Sequence, residues 1–138
     1  MRLTVNQVQR GNFKVIEYEL LHYHENKKIY QHHENEILHS SPLAQEIRST
    51  DIKKPTEIKA LQLLSNNHMV EMKRRLDAVE YALSHVDTIR QQLIAEKYFV
   101  MDLTDAGIMD KLHIERATYY RYRRDVIELI ADRLGWII

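Results

Sequence analysis

Residues 104–135 read TDAGIMDKLHIERATYYRYRRDVIELIADRLG, and this stretch decides the fold. It has the form of two helices joined by a short turn. The Thr104 hydroxyl can accept from free amides of a first turn, so it caps a short helix ending near Leu112. A second helix starts at about Glu115 and runs to Gly135, a residue suited to the left-handed conformation that closes helices. Ile108, Met109 and Leu112 give the short helix an apolar face, and Ile114 plugs the turn. In the long helix Tyr119, Tyr122, Val126, Ile127 and Ile130 recur at three- or four-residue spacing and are expected to face inward. Arg116, Ala117, Tyr120, Arg121 and Arg124 are left to face outward. His113 occupies the turn position where positive φ is often needed, and histidine tolerates that conformation better than most residues.

The pattern is that of a helix-turn-helix, in which a short brace helix holds a second helix for insertion into a DNA groove. From Arg116 to Arg124 the second helix carries four arginines and three tyrosines. Its first turns are the part that reaches base edges. Arg116 and Arg121 are therefore the candidates for guanine contacts or phosphate clamps. Ala117 belongs to the same reading face, and Tyr120 can pack on a sugar or a thymine methyl. Thr118, Arg123 and Arg124 are expected along the phosphate wall, with Lys111 reaching the backbone from the short helix.

Working outward, the chain has 138 residues with three glycines and two prolines. That favours an all-α protein with long elements over a sheet protein rich in turns. With no cysteine, disulfides and thiolate metal sites are excluded and a cytoplasmic setting fits. No apolar run approaches the roughly 20 residues that span a bilayer, so no membrane partner is expected. Twenty basic residues balance twenty acidic ones, giving a net charge of zero. DNA affinity would have to come from local arrangement, because overall charge supplies none.

Upstream, Phe13, Ile16, Leu20, Tyr23, Tyr30 and Ile37 predict one long amphipathic helix from Phe13 to Leu38, ended by Ser40-Ser41-Pro42. A second helix is expected from a Thr56 cap to about His85, led in by Ile58, Leu61 and Leu64. Met69, Met72, Leu76, Val79 and Leu83 follow at three-four spacing, a moderate coiled-coil pattern. Asp87 can cap a third helix, Thr88 to about Val100. The resulting division is a helical arm at 1–86 and a DNA-binding unit at 87–138. The arm is expected to self-associate through Leu20, Tyr30, Met69, Met72, Leu76, Val79 and Leu83, as a dimer or tetramer, because one recognition helix reads too few base pairs for useful affinity.

At these residues the chain resembles region four of bacterial sigma factors. It more closely resembles the phage late-gene transcriptional activators of the RinA and ArpU type. The stretches that carry the resemblance are EILHSSPLAQEIRSTDIKKPTEIKA (36–60), LIAEKYF (93–99), LTDAGIMDKLHIERATYYRYRRDVI (103–127) and ADRLGWII (131–138). The resemblance implies an activator that binds promoter DNA in a bacterial host cell and switches on phage packaging and structural genes. It implies self-association through helical arms and maps the recognition helix onto Glu115 to Arg124. Host RNA polymerase is a candidate partner.

Other chemistries find less support. Eight histidines invite a metal site, but His22 and His24 are two apart and His32 and His33 adjacent, neither the i, i+4 spacing that puts two ligands on one helix face. There is no glycine-rich phosphate loop, and Glu17, Glu19, Glu34 and Glu36 read as a solvated face. No catalytic residue, metal or cofactor is expected. The alternative of another class is a helical oligomeric interaction protein that docks on a partner without DNA.

Overall fold

The computed structural model describes residues 10–40 and 67–136. Every regular element among them is helical and none is a strand. The elements are α1 (Arg10–Leu21), α2 (Tyr23–Ser40), α3 (Asn67–Ser84), α4 (Thr88–Ile94) running into a π-helical segment (Ala95–Val100), α5 (Asp105–Leu112) and α6 (Arg116–Leu134). The expected Thr56 cap, its leading apolar residues and the Ser41-Pro42 stop lie outside the described residues.

Four caps in the C-terminal half act as local devices, while Glu115 at the start of α6 makes no side-chain capping bond. The Asp87 carboxylate accepts from Arg90 N at 3.1 Å and opens α4. Thr104 Oγ1 accepts from Gly107 N at 3.1 Å and opens α5. His113 takes φ 57°, so the chain turns sharply out of α5, and Ile114 N donates back to Met109 O at 3.0 Å. Gly135 at φ 76° closes α6, and Trp136 N donates to Ala131 O at 2.8 Å.

Two helices differ from expectation. The single N-terminal helix is broken at His22, which is a turn residue between α1 and α2. The Tyr18 carbonyl receives His22 N at 3.1 Å and also has the His22 ring Nδ1 at 2.9 Å. The ring nitrogen and the backbone amide of His22 thus share one helix carbonyl at the break. The third helix widens after Ile94 into the π segment, and Met101 N reaches back five residues to Glu96 O at 3.0 Å. The wider turn buries Leu93, Ile94 and Tyr98 together.

Packing divides the described chain into two units at points other than residue 86. Residues up to His24 and from Arg75 onward form one; those from Glu25 to Arg74 form the other. In the first unit α1 packs on α6 and on the π segment, and α4 packs on α6. Its core includes Ile16, Leu20, Leu93, Ile94, Ile108, Tyr119, Val126, Ile127 and Ile130, all at most 1% exposed. Each such aliphatic side chain contributes about 1.5–3 kcal/mol by leaving water. The first helix thus completes the C-terminal domain, although the sequence pattern assigns it to an arm. In the second unit Lys73 Nζ lies 5.8 Å from the Tyr30 ring, and His32 pairs with Glu36 at 2.8 Å.

This packing corrects part of the expected self-association face. Leu20, Met69, Leu76 and Val79 are 0%, 2%, 7% and 1% exposed within a single chain. Their spacing marks internal burial, which leaves them little surface for a second copy. Tyr30, Met72 and Leu83 are half-buried and keep some.

Candidate nucleic-acid interface

Three polar ties hold α6 in place. Tyr119, fully buried, donates its hydroxyl to Asp105 Oδ1 at 2.6 Å, joining α6 to the start of α5. Lys97 Nζ meets the same carboxylate oxygen at 2.9 Å. Burial alone would raise the Asp105 pKa, but the hydrogen bonds from Lys97 and Tyr119, helped by the charges of Lys97 and Arg123, outweigh it and hold Asp105 below its ordinary range. Burial and the neighbouring carboxylate both raise the Tyr119 phenol, so it stays protonated and donates.

The second tie is between α4 and α6. Arg90 Nε and Nη2 donate to Asp125 Oδ2 at 3.0 and 2.9 Å, and Nη1 donates to Asp87 Oδ2 at 2.6 Å. The guanidinium also lies 3.9 Å from the Tyr122 ring centroid. Tyr122, expected to be core, is half-buried beneath this cation.

The third tie reaches α1. Tyr98 donates its hydroxyl to Glu17 Oε2 at 2.6 Å, and Arg123 Nη1 lies 3.8 Å from the same oxygen. Burial and Glu17 push the Tyr98 phenol up, with Arg123 opposing, so the phenol remains the donor. The Arg123 guanidinium is flanked by the Phe13 and Tyr120 rings at 5.3 and 5.1 Å. Its Nε is buried with no partner among the described residues. Arg123 was expected on the phosphate wall. It faces α1 instead, because residue 123 lies one helical step from Arg124, about 100° around the axis.

The remaining expected contacts stand as follows. Arg116, Ala117, Arg121 and Arg124 are exposed, while Thr118 and Tyr120 are half-buried. Arg116 leans over the Tyr120 ring at 5.2 Å and Arg121 over Tyr122 at 5.5 Å. Among the described residues no carboxylate forms a salt bridge with Arg116, Arg121 or Arg124. Lys111 differs: it is exposed, but it is bonded to Glu96 of the π segment. A phosphate would have to compete with that carboxylate.

Beyond Arg124 the sign of the charge reverses. Asp125, Glu128 and Asp132 border a cleft of about 400 Å³ that also includes Asp87 and Arg90. Glu128 has a raised pKa, from burial first and then from Asp125, with Arg124 partly offsetting them. The exposed arginines therefore cluster in the first half of α6, with Arg133 apart from them in the last turn, 4.2 Å from the Tyr81 ring. The Tyr119–Asp105, Arg90–Asp125 and Tyr98–Glu17 bonds have no signal in the sequence, since their partners lie 14, 35 and 81 positions apart.

No family model, curated protein or solved structure matches this chain.

Proposed function

We propose that the chain binds duplex DNA sequence-specifically, with α5 as brace, His113 as turn and α6 as recognition helix. One observation carries the reading. Arg90, Lys97, Lys111 and Arg123 all lie by carboxylates, whereas Arg116, Arg121 and Arg124 stand exposed on α6 without a salt bridge among the described residues. Exposed, unpaired guanidiniums near a helix N-terminus, with an alanine between them, allow close approach to a groove floor and bidentate contact with guanine. The resemblance of residues 103–127 to phage late-gene activators supplies the biological setting: promoter binding that turns on late transcription, with host RNA polymerase as a candidate partner.

The basic stretch from Arg116 to Arg124 is about 12 Å long at helical rise, enough for about three or four base pairs. Useful affinity then calls for two or more copies on repeated half-sites. Tyr30, Met72 and Leu83 are the residues of the expected self-association face that retain surface for this.

The test is selection of duplexes from a random library by the full chain, followed by fluorescence anisotropy on the enriched sequence with the parent and Arg121→Ala. The substitution should cost about 1–3 kcal/mol of binding and relax preference at one position. Enrichment of no duplex would favour the alternative of a helical interaction protein. Equal binding by Arg121→Ala at low and high salt would remove α6 from the reading role.

A further inference from the structure

Asp125 follows Arg121 by four residues on α6, the spacing at which opposite charges on one helix meet. An Arg121–Asp125 pair would neutralise the arginine best placed to read a base. That pair does not form. Two nitrogens of Arg90 converge on Asp125 Oδ2 at 3.0 and 2.9 Å, and a third is fixed by Asp87 at 2.6 Å. The Tyr122 ring, 3.9 Å away, supports the same guanidinium. Arg90 is only 23% exposed, whereas Arg121 is on the open surface. Charge-assisted hydrogen bonds to a half-buried, preorganised guanidinium outcompete an open i, i+4 pair, which ranks among the weakest ionic contacts. Asp125 is thus drawn to the α4 side.

We propose that Arg90 is a positioning residue for DNA reading: it sequesters Asp125 and so keeps the Arg121 guanidinium free for an acceptor on the duplex. The inference rests on the DNA-binding reading of α6. The Asp87–Arg90 pair alone would suffice to brace the start of α4, since it lies within one turn of the cap. The additional reach across to α6 is what controls the charge beside Arg121. The substitution Arg90→Gln releases Asp125 to pair with Arg121, one turn away. A second substitution, Asp125→Asn, then removes the competitor without rebuilding the clamp. A purely structural role for Arg90 would not be rescued in that way.

The experiment compares the parent, Arg90→Gln, Arg90→Gln/Asp125→Asn and Arg90→Gln/Asp132→Asn on the duplex the parent selects. Asp132 is an exposed acid two turns further along α6, so the two double variants have equal net charge. Arg90→Gln should weaken binding about 1.5- to twofold, the weight of one open i, i+4 pair. Adding Asp125→Asn should restore it, and adding Asp132→Asn should not. Full affinity in Arg90→Gln, rescue by both second substitutions, or rescue by neither would each overturn the proposal. A DNA-free arm follows the Arg121 Nε–H NMR signal, which should shift in Arg90→Gln and return with Asp125→Asn. An unmoved signal overturns the Arg90 arrangement itself. A signal that moves and returns while the parent selects no duplex rejects the DNA reading and with it the role assigned to Arg90, yet leaves the sequestration of Asp125 standing.

Discussion

Replacing Tyr119 by phenylalanine removes one oxygen atom from the joint between α5 and α6. The ring is fully buried and its packing is retained, so the change isolates the 2.6 Å bond to Asp105. A hydrogen bond to a charged group contributes about 1.5–3 kcal/mol. Asp105 is 37% exposed and keeps Lys97 at 2.9 Å, so water and the ammonium recover part of the loss. The expected destabilisation is about 1–2 kcal/mol at neutral pH. Its pH dependence follows from the state of Asp105. Burial works to raise that carboxyl, but the bonds from Lys97 and Tyr119 prevail and hold its folded pKa below the ordinary 3.8. A carboxylate lowered in the fold adds stability above 3.8 and gives it up as pH falls through the folded value. The gap between parent and Tyr119→Phe should therefore be full at pH 7 and narrow below about pH 4. Urea unfolding followed by circular dichroism at both ends of that range measures it. Equal stability at neutral pH would show that the bond contributes nothing. An unchanged gap in acid would show that the loss comes from packing and that the charged acceptor plays no part.

Three further substitutions, at two positions, test the architecture. Leu20→Ala should cost about 2–5 kcal/mol and lower the unfolding midpoint of the whole first unit, because α1 is part of its core; hydrogen exchange that rises only in α1, with α6 amides still protected, would show that α1 is dispensable there. At the turn, His113→Gly should be nearly neutral, since the position already has φ 57°, whereas His113→Val should cost about 1–2 kcal/mol in thermal or urea melts; equal effects of the two would mean that backbone conformation is not what selects the residue.

Sequence alone shows the helix ends because caps are short-range devices. Thr104 reaches Gly107 and Asp87 reaches Arg90, three residues away in each case. Positive φ at His113 and Gly135 was also legible, since a short turn and a helix stop make that demand locally. The inner face of α6 followed from helical period, apart from Tyr122, which sits half-buried beneath Arg90. The widening of α4 into a π segment has no such local signature, and neither does the break at His22.

The sequence by itself determined that the chain is helical, where the C-terminal helices start and stop, and which stripe of α6 is apolar. These depend on torsional preference and on neighbours within about one turn. Only the tertiary structure decided which charges are in use. Tyr98 meets Glu17 across 81 residues and Arg90 meets Asp125 across 35, and no periodicity encodes such encounters. Tertiary packing likewise turned Leu20, Leu76 and Val79 from a surface stripe into core, because helical spacing records that a face is buried without recording what buries it. Among the arginines of α6 the outcome was a division of labour: Arg123 lies against α1, while Arg116, Arg121 and Arg124 keep their exposure to solvent.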